Sequence, residues 1–194
     1  SLLPIIDEFH ALNKQTRLNF THHTLAGSWE ELTHNGADII LGAINEPPTS
    51  AAWSYKMLGT LDNVFVVAPE HPLAAAPDGL TNEQLCLHRA IVISDSARFC
   101  HPLQTNLMEE QAQIRVDDFH SKVMLLRAGL GCGFLPRHIA NPWLATGELV
   151  EKTVISFRQK DVAYMAWRNN RDGLAQRWWR ETLLASPDVT RLYQ

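Results

Sequence analysis

Ala128-Gly129-Leu130-Gly131-Cys132-Gly133-Phe134-Leu135-Pro136-Arg137 is the stretch whose reading decides the fold. Ahead of it, Phe119, Val123, Leu126 and Leu130 recur at helical spacing, so an amphipathic helix runs into a glycine turn. Beyond the turn, Cys132–Leu135 is a short small-and-apolar run that reads as a buried strand, stopped by Pro136. Helix, glycine turn and buried strand are the joints of an α/β unit. Gly129-Leu130-Gly131-Cys132-Gly133 superficially matches a dinucleotide-binding loop. In that register, however, the last position is Phe134, and the run leaves a helix to enter a strand, the reverse of the order such a loop requires.

Working outward, the same alternation continues. Leu2, Ile5, Phe9 and Leu12 mark an opening helix whose first turn Ser1 and Pro4 suit. A strand is expected over Arg17–His23, a turn over Thr24–Gly27 and a helix over Ser28–His34, with Gly36 as a left-handed cap. Asp38–Gly42 reads as a buried strand, Asn45–Ser50 as a polar loop, and Trp53–Leu58 and Asn63–Ala68 as two strands. Pro69, Pro72 and Pro77 then break regular structure. Next come a helix (Asn82–Cys86), a strand (Ala90–Ile93), a loop (Ser94–Cys100), a helix (Pro102–Glu110) and a strand (Ile114–Val116). Val162–Trp167 reads as a returning strand, and a last helix after Asp172 carries Ala175, Trp179 and Leu183 four residues apart. The expectation is an α/β protein with mainly parallel sheets and two lobes: 1–68 plus 162–194, and 69–161. Two crossing strands would join them and leave a cleft, with ligands at strand carboxyl ends and helix N-termini.

The 194 residues suffice for a sizeable core, and 45% apolar against 20% charged is ordinary for a globular chain. No apolar run approaches the roughly 18 residues that span a bilayer. Seventeen Lys and Arg against 21 Asp and Glu give a net charge of −4, with no basic run, so this chain alone is a poor nucleic-acid binder. Three cysteines without a CxxC argue against a disulfide framework or structural zinc and point to the reducing cytoplasm.

The chain resembles the effector-binding domain of LysR-type transcriptional regulators. The stretch Ala128–Arg137 is similar to that family's A-G-x-G-[apolar]-[small]-[apolar]-L-P run, and Gly36-Ala37-Asp38-Ile39-Ile40-Leu41-Gly42 to its G-x-x-D strand. Val66-Val67-Ala68-Pro69-Glu70-His71-Pro72-Leu73-Ala74 resembles its strand followed by H-P-L-A. The three occur in the family's order and spacing. Gly27-Ser28-Trp29, Asn45-Glu46-Pro47-Pro48 and Asn141-Pro142-Trp143-Leu144 further resemble the YhaJ subgroup. The resemblance implies a type II periplasmic-binding-protein-like fold with a small inducer between the lobes. It implies a homodimer, with the full-length protein a tetramer, and promoter contact only through an N-terminal winged helix-turn-helix that this chain does not contain. The family's domain also opens with a strand before the first helix, whereas this chain starts at that helix. No cofactor and no membrane partner are implied.

Candidate ligand contacts follow from strand ends and helix N-termini, where backbone N–H groups and the helix dipole favour anions. Ser1 is a contact or a plain N-cap. Thr24 and Leu25 match a family contact loop or are turn chemistry, and Ala43 and Ile44 would form apolar wall. Trp29 would stack a planar ligand or pack in the core. Ser94, Asp95 and Ser96 follow a strand and offer polar groups or a capped loop. Phe119 and His120 open a helix at the same mouth, and Phe134 is wall or core. His22 and His23, adjacent in an expected strand, point to opposite faces, so no metal site is expected. Cys100 sits beside His101 with Arg98 near, as a reactive thiol needs. The resolving cysteine that the family's peroxide-sensing branch carries about nine residues on is replaced here by Glu109. The leading expectation is therefore a cytoplasmic inducer-sensing domain for a small aromatic or quinone-like compound. The alternatives are an extracytoplasmic solute-binding protein and a Cys100 redox sensor. Without a G-x-S-x-G elbow or a triad spacing, no enzyme is expected.

Overall fold

The computed structural model describes residues 2–12, 15–34, 36–44, 47–99, 111–155, 157, 160–170 and 173–193. The elements in order are α1 (Leu3–Leu12), α2 (Ala26–Thr33), β1 (Ile39–Ile44), β2 (Trp53–Val67), a 3-10 turn (Pro72–Ala74), α3 (Asn82–Cys86), β3 (Ala90–Ile93), β4 (Gln113–Val116), α4 (Phe119–Arg127), β5 (Gly133–Pro136), α5 (Arg137–Ala145), β6 (Val150–Lys152), β7 (Lys160–Arg168), α6 (Leu174–Ala185) and α7 (Pro187–Arg191). They fall into two compact units. The first is Ser1–Leu61 with Ala97–His101 and Val162–Gln194; the second is Asp62–Ser96 with Pro102–Asp161. Both β2 and β7 contribute residues to each unit. Ser1, Cys100 and the helix expected over Pro102–Glu110 lie outside the described residues.

In the first unit, β1 pairs antiparallel with β7, Ile39 opposite Trp167 and Ile44 opposite Ala163. The register slips between Leu41 and Ala43. Gly42, at φ +80°, makes that bulge, and a Cβ there would lie 2.5 Å from the Tyr193 hydroxyl. One core gathers Ile5 and Phe9 of α1, Met165 of β7, Trp179 and Leu183 of α6 and Val189 of α7. A second joins Trp29 and Leu32 of α2 to Ile40, Ala43, Trp53 and Ala166.

The carboxyl end of α2 shows how closely its orphan carbonyls are answered. The Thr33 hydroxyl donates to the Trp29 carbonyl, the His34 N–H to Glu30, and the Gly36 and Ala37 N–H groups to Glu31. The Leu32 carbonyl accepts from the Arg168 guanidinium, whose Nε also donates to the Ala37 carbonyl at 3.0 Å. Arg168 is 3% exposed, so a full cation serves a helix's negative end from inside the protein. Gln176 of α6 adds bonds of 3.1 Å to the carbonyls of Asp38 and Arg168.

In the second unit, β2 has an antiparallel partner on each side: β5, with Val66 opposite Gly133, and β6, with Val66 opposite Glu151. The strands β3 and β4 pair in parallel, and Ala90 forms a parallel bridge to Cys132. α4 packs on β3 and β4. One core holds Val64, Val66, Ile91, Val123, Leu126, Leu135, Ala140 and Leu149; another holds Phe65, Val67, Leu73, Leu80, Leu85 and Cys132.

Four expectations are corrected. Arg17–His23 forms no strand: among the described residues it has no ladder partner, and Phe20 stands 58% exposed. The two strands expected over Trp53–Leu58 and Asn63–Ala68 are one continuous strand, Trp53–Val67, within which the Thr60 N–H donates to the Tyr193 carbonyl at 2.8 Å. Parallel pairing does not dominate, since β1–β7, β2–β5 and β2–β6 are all antiparallel. Gly36 is absent from the positive-φ glycines; its missing side chain instead makes way for the Glu31 carboxylate, which a Cβ would meet at 1.7 Å.

Replacing Arg168 by Met removes the cation and leaves two buried carbonyls unanswered. The variant is expected to lose about 3 kcal/mol of stability in urea unfolding, and Arg168→Lys about 1–2 kcal/mol because one ammonium cannot span both carbonyls.

Candidate functional site

In the first unit the candidate residues cluster at the entry to α2. Thr24 and Leu25 are half-buried, and Leu25, the residue before the helix, has φ 52° and ψ −127°. It is the single non-glycine residue with positive φ among those described, a conformation that costs a side-chain-bearing residue of order 1–3 kcal/mol. The backbone closes behind it through Gly27 N–H to the Thr24 carbonyl at 3.1 Å.

The remaining first-unit candidates belong to packing. Trp29 is 5% exposed, and its indole N–H donates to the Ile44 carbonyl at 3.0 Å. The stacking surface expected of it is instead core, beside Leu32, Ile40 and Trp53. Ala43, at 2% exposure, is core too, and Ile44 gives its carbonyl to Trp29. Because the helix begins at Ala26 and not at Ser28, Trp29 lies a turn inside it, on the side that packs against Ile40 and Trp53.

Sequence reading passed over Glu30. Its buried carboxylate accepts the Arg98 N–H at 2.9 Å and the Phe99 N–H at 3.0 Å, fixing residues 98–99 against α2. The Phe99 ring lies 4.9 Å from the His34 ring. A glutamate inside the apolar stripe of an otherwise ordinary helix was the available signal. His22 is exposed, and His23 approaches Glu31 at 3.7 Å. Among the described residues no three His, Cys, Asp or Glu side chains gather as metal ligands.

In the second unit, Ser94, Asp95 and Ser96 are half-buried at the carboxyl end of β3, and the Ser94 N–H donates to the Val116 carbonyl at 2.8 Å. Asp118 caps α4: its carboxylate accepts the Ser121 N–H at 2.8 Å and the Ser121 hydroxyl at 2.9 Å. Those two bonds hold its carboxyl below the usual carboxylate range. Phe119 packs on the core and His120 is exposed. Phe134 lies between Phe65, 5.0 Å away, and Phe157, 3.6 Å away, as part of a packed aromatic group.

Lys122 of α4 is 6% exposed, and sequence reading missed it as well. Burial drives its ammonium down to about 8, and burial pushes the neighbouring Cys132 thiol up to about 12. Unfolded, the lysine holds its proton up to about 10.5, so between about pH 8 and 10.5 the unfolded chain binds the extra proton and stability rises with pH. The thiol acts in the opposite sense above about pH 9, where the unfolded chain releases a proton that the folded one keeps.

Urea unfolding is therefore expected to show stability increasing by roughly 1 kcal/mol between about pH 8 and pH 9. Lys122→Met should be more stable than wild type at about pH 7 and should lack that increase; a rise unchanged in the variant would assign it to another group.

A family model described as the LysR substrate binding domain matches residues 1–187. The chain is 40% identical over 192 residues to the HTH-type transcriptional regulator YeeY of Escherichia coli (strain K12), covering 99% of this chain and 62% of YeeY. It is 32% identical over 178 residues to the probable HTH-type transcriptional regulator YhaJ of the same strain, covering 92% of this chain and 59% of YhaJ. It thus spans about three-fifths of the length of these curated relatives. Its fold is similar to the regulatory domain of NMB2055 (MetR), a LysR family regulator from N. meningitidis, with TM-score 0.66 and 18% identity over 99% of this chain and 85% of that one. The strands that serve both units, the A-G-x-G turn into β5 and a family match along nearly the whole length agree: the chain belongs to the LysR substrate-binding-domain family, with its type II periplasmic-binding-protein-like fold.

Proposed function

We propose that this chain is the sensing part of a transcriptional regulator: it binds a small-molecule effector, and its ligand state sets how the full-length protein engages promoter DNA. The observation that carries this reading is the family match over residues 1–187, together with relatives named as HTH-type transcriptional regulators. DNA contact would reside in the part of those relatives that this chain does not span. The full-length protein would work as a homodimer or a pair of dimers in the cytoplasm.

Within the first unit, Thr24 and the strained Leu25 turn would contact the effector, with Trp29 and Ala43 acting behind them as packing. The strain at Leu25 supports this, because unfavourable backbone persists where surrounding structure over-determines it, and such places cluster at binding sites. Within the second unit, Ser94, Asp95, Ser96 and His120 are the effector-facing groups, and Phe119 fixes the end of α4 beneath them. A small aromatic or quinone-like compound remains the leading effector class, on the resemblance to the YhaJ subgroup. The solute-binding alternative draws no support from relatives named as regulators.

The test is a thermal-shift screen of the chain against aromatic acids, phenols, quinones, nucleosides, amino acids and organic anions. An effector at about a hundred times its Kd adds about 2.7 kcal/mol, several degrees in Tm for a chain of this size. A flat response to every class would overturn the sensing reading.

A further inference from the structure

β2 ends at Val67, and the chain then turns through Ala68–Ala74 on its way to α3. The His71 N–H donates to the Ala68 carbonyl at 3.0 Å, and the Ala74 N–H to the His71 carbonyl at 2.8 Å. A side chain makes the third bond: the Leu73 N–H donates to His71 Nδ1 at 3.2 Å. That bond caps the 3-10 turn Pro72–Ala74, in which Leu73, 3% exposed, joins the core of Val67, Leu80, Leu85 and Cys132. An imidazole nitrogen accepts only while it carries no proton. The cap therefore requires a neutral His71 with its hydrogen on Nε2, and a second proton can enter only at Nδ1, the capping atom itself.

His71 is 7% exposed, and the ring of His88, just beyond α3, stands 4.9 Å away at 56°. Burial first, and then a charge on His88, hold His71 below the ordinary range of an imidazole. The other ionisable groups on the surrounding elements are occupied or exposed. Glu151 of β6 pairs with Arg137 at 2.9 Å, and Lys152 donates to the Ala76 carbonyl at 2.6 Å and lies 3.2 Å from Asp78. Arg127, before the glycine turn that reaches Ala68, pairs with Glu148, and the Cys132 thiol donates to the Arg89 carbonyl at 3.5 Å. Asp62 of β2 faces Lys160 at 3.7 Å, and Glu70, Glu83, Cys86 and Arg89 are exposed. Among the described residues, the group that acts on a His71 charge is His88, and it acts against it.

We propose that His71 and His88 form a proton-operated latch on this turn. With His71 neutral, Nδ1 holds the Leu73 N–H and the turn is closed. A proton taken from solvent onto Nδ1 turns the acceptor into a donor, breaks the bond to Leu73 and sets a cation beside the second imidazole, so the turn opens and Leu73 leaves its core. The unfolded imidazole takes up that proton as pH falls through about 6.5, whereas the closed turn resists it. The stability of the closed turn is thus fully present above about pH 6.5 and is lost as the pH falls further. The latch responds to acidification and does not depend on which effector the chain binds.

The experiment is nuclear magnetic resonance of the full chain, labelled with 15N, between about pH 7.5 and about pH 5. At the upper end His71 is expected as the Nε2–H tautomer, with the Leu73 amide protected from hydrogen exchange. Below about pH 6.5 that protection, corrected for the pH dependence of chemical exchange, should fall by up to about tenfold per pH unit as His71 takes up its proton. His71→Asn supplies a side-chain carbonyl that caps without titrating, so it should keep the protection at neutral pH within a few-fold and lose the acid dependence. His88→Gln leaves the cap and removes the neighbouring charge, so its acid loss should be smaller than that of wild type. An Nδ1–H tautomer at neutral pH, a Leu73 amide that stays protected while His71 titrates, or an unchanged acid loss in His71→Asn would overturn the latch. Should His71→Asn fail to fold, the wild-type tautomer and the joint titration of His71 and the Leu73 amide still decide the question.

Discussion

The contact on which the first unit depends is the buried guanidinium of Arg168. It closes the carboxyl end of α2 by taking the Leu32 and Ala37 carbonyls, and it belongs to β7, the strand that pairs with β1. One side chain thus ties a helix end to the sheet beneath it. With Gln176 bonded to the Asp38 and Arg168 carbonyls, α6 joins the same network. Since α2 is only eight residues long, pinning one end determines where the other begins, and that other end is the strained turn at Leu25. The unusual φ at Leu25 is intelligible on this basis. The helix is fixed from below by Arg168 and from its side by Trp29 bonded to Ile44, so the connecting backbone adapts to it.

The second unit handles buried charge differently. Lys122 is 6% exposed beside the Cys132 thiol, and burial lowers its proton affinity. Carbonyls solvate a cation at a helix end well, because the dipole there is negative; an ammonium in the first half of a helix gains nothing from the dipole.

Much of the architecture was legible because it rests on local periodicity. The apolar stripes of α1, α4 and α6, the short strands β3, β4 and β5, and the glycine turn between α4 and β5 all announce themselves at a fixed spacing. The family was legible for the same reason, since its motifs are these junctions. The features that were not legible depend on partners distant in sequence. The strand expected over Arg17–His23 needed a ladder partner that local pattern cannot reveal. The continuity of β2 goes with pairing to strands distant in sequence, such as β5 and β6, which local pattern cannot reveal. Trp29 looked available for stacking, and only the tertiary structure shows it packed against Trp53 and Ile40. Glu30 and Lys122 carry the same lesson in charge: each breaks the apolar face of a helix, and only the tertiary structure reveals that both are buried and that Glu30 is answered by backbone N–H groups.

This distinction bears on how specificity can be built in such a chain. Trp29, Ala43 and Phe134 are bound into cores, so changing any of them creates a cavity or a clash, with consequences of 1–5 kcal/mol in a fold whose total stability is of order 10 kcal/mol. Positions with that much structural responsibility cannot be varied freely to suit a new ligand. Thr24, Leu25, Ser94, Asp95, Ser96 and His120 are at most half-buried and sit at element ends, where a substitution leaves the cores intact. On the effector-sensing reading proposed above, ligand preference is set there and can change while the fold persists.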